Sequence, residues 1–170
     1  MEFKEFEISV LPLRDKLYRF ARQLTQHDGE SQDIVQEVFI RLWKRRNVLK
    51  QYKSVEALAM VITKNLSLDF LKAKRSHTAT LESVSLSADY NTPEHYTEVR
   101  DTMQAVKNVV SELPEQQRMI FHLREVEEME FGEIAEVTGM NSNAIRVNLS
   151  RARKTVREAL QKKEDYVSGD

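Results

Sequence analysis

Apolar residues return every three or four positions along two long stretches of this chain, and the alternating pattern of a half-buried strand has little support anywhere. The clearest stripe, Ile34, Val35, Val38, Phe39, Leu42 and Trp43, lies between Asp28 and Arg46. It predicts an amphipathic helix with Asp28 as its N-cap. Glu30 and Asp33 fall in the first turns and Lys44, Arg45 and Arg46 in the last, the charge order that a helix dipole favours. A second helix is expected from Val55 to Lys74, burying Leu58, Val61, Ile62, Leu66 and Phe70 or their immediate neighbours. Farther on, Val99, Met103, Val106 and Val110 mark another helix, ended near Leu113-Pro114 because proline disfavours helix at the residue before it. Pro114 and Glu115 then open the next, with Met119, Ile120 and Leu123 on its buried side and the acidic stretch Glu125 to Glu130 at its end. The expected fold class is all-α.

Between Ser76 and Glu98 this periodicity is lost: 8 of 23 residues are Ser or Thr, and Pro93 interrupts. The expected organisation is two small helical domains, residues 1–75 and 99–170, joined by a flexible linker over 76–98. Whether the two domains pack together is open at this level. The formal net charge of −1 hides an uneven distribution. Residues 1–75 carry 15 Lys and Arg against 10 Asp and Glu, 76–98 carry none against 4, and 99–170 carry 11 against 13. Within the last segment, Ala144 to Lys163 holds 7 basic residues and Glu158 as its one acid. The absence of cysteine excludes disulfides, iron–sulfur centres and thiolate zinc sites. No apolar run approaches the roughly 20 residues that span a bilayer, and the first residues do not have a basic flank followed by an apolar stretch. A cytoplasmic protein is expected.

The most informative segment runs from Phe131 to Leu149 and has helix-turn-helix spacing. Small Ala135 lets two helices cross closely, and Gly139 supplies a turn where positive φ is often needed. Asn141 or Ser142 can cap the second helix, whose buried stripe is Ile145, Leu149, Ala152 and Val156. The opposite face then shows Asn143, Arg146, Val147, Ser150, Arg151 and Arg153, with Lys154 and Arg157 beyond. It mixes side chains that read base edges with side chains that hold phosphates. Taken alone, Arg151 to Arg157 fits a solvated basic face equally well; the preceding turn favours DNA. In the first domain Arg41, Lys44, Arg45, Arg46, Lys50 and Lys53 form an acid-free basic run containing Trp43 and Tyr52. It suits either single-stranded DNA or solvent, with Trp43 in the core.

Two further stretches, Gln32-Asp33-Ile34-Val35-Gln36-Glu37-Val38-Phe39-Ile40-Arg41-Leu42-Trp43 and Ile62-Thr63-Lys64-Asn65-Leu66-Ser67-Leu68-Asp69-Phe70-Leu71-Lys72, strongly resemble the first domain of extracytoplasmic function (ECF) sigma factors, group IV of the primary sigma factor family. Glu112 to Phe121, and Ile134 through Lys154, look like that family's second domain. The resemblance implies a non-enzymatic specificity subunit, without cofactor or metal, that directs bacterial core RNA polymerase to promoters. Its implied partners are the polymerase β′ clamp helices and β flap, promoter DNA and an anti-sigma factor. The implied core-binding residues are Asp33, Gln36, Glu37, Phe39 and Arg41. Those implied for the −10 element are Tyr52, Lys64, Asn65, Asp69, Lys72 and Arg75, with Asn65 the first choice for reading an unstacked base. Those implied for the −35 major groove are Asn143, Arg146, Val147, Ser150 and Arg151, with Arg153, Lys154 and Arg157 nearer phosphates. One departure is Leu58, which stands where many members have tryptophan. The linker acids Glu82, Asp89, Glu94 and Glu98 would thread into polymerase channels by this analogy, and an ordinary tether explains them equally well.

A stand-alone helix-turn-helix regulator is the alternative, since the same turn occurs in response-regulator output domains. It leaves the Asp33-to-Trp43 match unexplained. An enzyme has less support: His27, His77, His95 and His122 are scattered, and Gly29, Gly132, Gly139 and Gly169 form no phosphate-binding loop.

Overall fold

The computed structural model describes residues 1–80 and 98–169, and among these no strand forms. The first unit consists of α1 (Phe3–Val10), a 3₁₀ turn (Leu11–Leu13), α2 (Arg14–Thr25), α3 (Asp28–Lys44) and α4 (Val55–Thr80). The second consists of α5 (Glu98–Glu112), α6 (Glu115–Phe121), a π turn (His122–Val126), α7 (Phe131–Thr138) and α8 (Ser142–Ser168). The acidic stretch 82–94 and the tether role assigned to it lie outside the described residues.

Helix α2 is the hub of the first unit, packing against both α3 and α4. Leu17, Phe20, Ala21 and Leu24 are fully buried on it, and Leu42 of α3, Leu49 and Met60 of α4 close the core around them. Each such large side chain contributes about 1.5–3 kcal/mol on burial. The face that α4 turns inward is made of Ile62 and the immediate neighbours of the large residues expected there. Ala59, Met60, Ile62, Thr63 and Ser67 are buried, whereas Leu58, Val61, Leu66 and Phe70 are half-buried. Small and hydroxyl-bearing residues let α4 lie close to its neighbour, and the Thr63 hydroxyl is satisfied by the Ala59 carbonyl at 2.8 Å.

Helix α3 starts at Asp28, but Asp28 is not its cap. Its carboxylate accepts from Tyr18 Oη at 3.0 Å and from Arg22 Nε at 2.5 Å, both on α2. The cap passes to His27, whose Nδ1 accepts from the Glu30 amide at 3.0 Å. Gln26, with φ of 57°, makes the sharp reversal from α2. Trp43 is half-buried rather than part of the deep core, with Phe3 and Phe6 edge-on to it and the Arg46 guanidinium 4.4 Å from its ring centre. Helix α4 continues to Thr80, past Ser76 where the linker was expected to begin. No proline or glycine occurs there to stop it, and the Thr78 hydroxyl folds back onto the Lys74 carbonyl at 2.8 Å.

In the second unit Val110 and Leu113 of the α5 region pack on Ala152 and Val156 of α8. Pro114 is the N-cap of α6 rather than its first residue, with ψ of 144°. The turn between α7 and α8 has the anticipated chemistry. Gly139 is left-handed with φ of 72°, its amide bonds the Ala135 carbonyl at 2.8 Å, and the Asn141 side chain caps α8 by accepting from the Ala144 amide at 2.8 Å. Ile145, Leu149, Ala152 and Val156 are all buried, as their spacing predicts.

The two units touch. Helix α6 packs on α2 and α7 packs on α4, so that Ile120, Leu123, Ile134, Val137, Ile145 and Leu149 share one continuous core with α2, α3 and α4.

Two glycines offer a controlled comparison. A Cβ at Gly139 or at Gly132 meets nothing within 4 Å, but Gly139 alone has positive φ. Gly139→Ala therefore costs about 1–2 kcal/mol of backbone strain, while Gly132→Ala, inside α7, is neutral or stabilising by up to about 1 kcal/mol. Thermal denaturation followed by circular dichroism should show a fall of several degrees for the first and none for the second.

Candidate nucleic-acid interface

Helix α8 presents its two faces as its period dictates. Opposite the buried stripe, Asn143, Arg146, Val147, Ser150, Arg151, Arg153, Lys154 and Arg157 are all exposed. Asn143, Arg146, Val147 and Ser150 fall within its first three turns, next to the α7–α8 turn, where a recognition helix meets base edges. Arg146 is steadied by the Phe131 ring of α7, its guanidinium carbon 5.7 Å from the ring centre. Two cations farther along are engaged within the chain: Arg153 Nε bonds Glu125, and Lys154 lies 3.9 Å from Glu158.

On α3, Asp33 and Gln36 are exposed and Glu37 holds Arg41 through a 2.7 Å bond from Nε. Phe39 is half-buried, packed against the core. Helical spacing puts Ile40 on the face of Asp33, Gln36 and Glu37, and its 48% exposure places an apolar group in an otherwise polar surface. Sequence reasoning passed over Ile40, although the positions 33, 36, 37 and 40 share one face.

Around α4, Asn65, Asp69 and Lys72 are exposed, and Tyr52, just after the 3₁₀ turn anchored by fully buried Leu49, is 41% exposed. Lys64 is partly covered, and burial pulls its ammonium below the ordinary lysine range. Arg75 reaches the second unit, where Nη2 bonds the Glu115 carboxylate at 2.9 Å. Asn65, Asp69, Lys72 and Arg75 line one cavity of about 410 Å³ together with Glu115 of the second unit. Beside it, Arg118 donates to the Ser111 carbonyl at 3.1 Å, and burial lowers its guanidinium from the usual arginine value.

The sequence reading missed one cluster entirely. Glu127 is a carboxylate almost wholly removed from solvent, 2% exposed in its side chain. Arg19 of α2 donates to it twice, from Nε and Nη2, each at 2.9 Å, and His122 Nε2 lies 3.1 Å from the same group. A carboxylate only accepts, so the histidine nitrogen carries the proton there. The His122 ring in turn stacks on Phe20 of α2 at 5.8 Å. The π turn makes this cluster: the Glu127 amide bonds the His122 carbonyl at 3.1 Å, bringing residues five apart to the same side. A regular α-helix would set them roughly 140° apart. Among the described residues no group of three His, Asp or Glu side chains could hold a metal ion, and no helix is long and apolar enough to cross a membrane.

Comparison with known proteins agrees with this layout. Residues 10–77 match the family model Sigma-70 region 2, and residues 103–156 match Sigma-70, region 4. SigV of Bacillus subtilis, an RNA polymerase sigma factor, is 26% identical over 155 residues that cover 89% of this chain and 88% of that protein. Probable RNA polymerase sigma factor RfaY of Xanthomonas campestris is 32% identical over 166 residues; the match covers 94% of this chain but only 42% of that longer protein. Among solved structures, the sigma factor RpoE of Bartonella quintana, in complex with the anti-sigma factor NepR, superposes with a TM-score of 0.69 at 22% identity, covering 93% of this chain and 98% of that one. The chain belongs to the ECF sigma factors, the group IV sigma-70 proteins that direct RNA polymerase to promoters.

The Glu127 cluster carries a pH signature. Burial alone would raise this carboxyl, but the bonds from His122 and Arg19 outweigh it and lower the pKa from 4.5 to about 2. A depressed value means that the group stabilises the folded state fully above about 4.5, and that this contribution is lost as pH falls toward about 2. Thermal melts across that window should show the wild type losing stability more steeply than Glu127→Gln, which has no proton to take up.

Proposed function

We propose that this chain acts as a non-catalytic specificity subunit, with the unit ending in α4 engaging core polymerase and the −10 element, residues 81–97 joining the two domains, and the unit beginning with α5 binding the −35 element. The observation that carries the reading is α8: an entirely buried stripe on one side and, on the other, an exposed face of arginines, Asn143 and Ser150 following a glycine-turned helix. Arg146 reads a base, and Arg157 strengthens binding to any sequence through phosphate. Arg153 and Lys154 also serve phosphates once they leave Glu125 and Glu158.

Asp33, Gln36, Glu37, Phe39 and Arg41 form the core-binding surface on α3, directed at the β′ clamp helices, while the second domain meets the β flap. Exposed polar and acidic groups suit a basic coiled-coil partner, and Ile40 adds an apolar contact at the centre of that face. Asn65 leads the −10 contacts with Tyr52, Lys64, Asp69, Lys72 and Arg75. An anti-sigma factor is the natural negative regulator, as the NepR complex of the Bartonella quintana protein suggests.

Transcription by bacterial core polymerase on selected promoter fragments, with and without the protein, tests the reading. Core binding and promoter-specific transcripts are expected, both weakened by Asp33→Ala/Gln36→Ala. Specific duplex binding without any binding to core would replace this role with a stand-alone regulator.

The two classes of arginine separate in a second measurement. Arg146→Ala should lose about 1–3 kcal/mol of discrimination between matched and scrambled −35 DNA. Arg157→Ala should weaken both equally and reduce the salt dependence of binding. Equal losses for Arg146→Ala on both DNAs would remove it from base reading.

A further inference from the structure

We propose that Arg19, Glu127 and His122 form a buried ionic latch that holds the two helical units shut in the free chain, and that must open before both promoter elements are read. The inference rests on the sigma reading for its consequence, but the latch itself is a property of the isolated molecule.

The contact is built in three parts. An apolar layer joins α2 and α4 to α6 and α7 through one shared core. Within it the Glu127 carboxylate, from the second unit, receives both Arg19 bonds from the first, while His122 supports it from behind and stacks on Phe20. At the rim, Glu115 holds Arg75. A buried ion pair of this kind adds little net stability over an apolar contact of the same shape, but it fixes a single register. Opening also returns each charge to water intact, so the latch can release without leaving an orphaned charge in the core.

The closed arrangement conflicts with promoter recognition in two ways. Arg75, although largely exposed, is paired with Glu115 of the second unit, so one member of the −10 surface is engaged. Distance is the stronger objection. Elements at −10 and −35 lie about 25 base pairs apart, roughly 85 Å along B-form DNA. A chain of this length folded with its units in contact has a radius of gyration of only about 15–16 Å. The stretch 81–97 has a contour of up to about 60 Å, enough to let the units part.

The cysteine-free sequence allows a direct test. Glu7→Cys on α1 and Lys162→Cys on α8, both exposed positions, take a donor and acceptor dye on the full chain. High energy transfer is expected for the otherwise wild-type protein, falling in Glu127→Gln. The ratio of open to closed molecules should rise about tenfold to a hundredfold, the worth of hydrogen bonds to a charged group. Arg19→Gln, at a half-exposed side chain that cannot empty the core, should do the same with unchanged helical circular dichroism. Low transfer in the wild type, or unchanged transfer in both variants, overturns the latch. Core polymerase should lower transfer in the wild type to the level of the variants. If the variants open the chain and polymerase does not, the latch stands and the sigma reading fails.

Discussion

Helix α2 must bury more of its circumference than one small domain can cover. Leu17, Phe20, Ala21 and Leu24 leave no accessible surface, and they do so because α3 and α4 close on the helix from one side and α6 with the π turn from the other. Each unit alone has a modest core, and an apolar strip exposed at this place would be costly in water. The shape of the free molecule follows from that shared strip. The buried charge of Glu127 then selects one orientation among the many that apolar contact would tolerate.

Recognition surfaces are arranged around this constraint rather than within it. The exposed side of α8 is free of the interdomain contact, because the buried stripe Ile145, Leu149, Ala152 and Val156 absorbs all the packing duties of the helix. The docking face proposed for α3 is likewise open, with Asp33, Gln36 and Ile40 exposed. The surface of α4 is different: the helix is shared, facing α2 on one side and α7 on another. The element assigned to melted promoter DNA is thus the one most affected by whether the units touch.

What the sequence revealed, and what it concealed, has a physical division. Amphipathic helices, the Gly139 turn, the Asn141 cap and the α8 faces could all be read because they depend on residues three or four apart. The polar face of α3 came instead from the family resemblance, which did not single out Ile40. Asp28 was misread as a cap because its true partners, Tyr18 and Arg22, belong to the preceding helix. The inward face of α4 could be read only to within a neighbouring position, because a large side chain is a poor guide where close approach favours Ala59, Thr63 and Ser67. His122 and Glu127 were invisible as a pair: α-helical periodicity sets them on different sides. Arg19 lies 108 positions from Glu127, too far for any local pattern to connect them.

The π turn at His122–Val126 has a consequence of its own. The wide ring brings Glu127 under Arg19, and the contact with α2 in turn holds the ring wide. Two conformational choices, the local one made by five peptide units and the global one made by two helical units, are therefore coupled by a single free energy. Such coupling is reciprocal. Any influence that tightens this ring toward ordinary α-helix loosens the grip between the units by the same amount, and anything that parts them relaxes the ring.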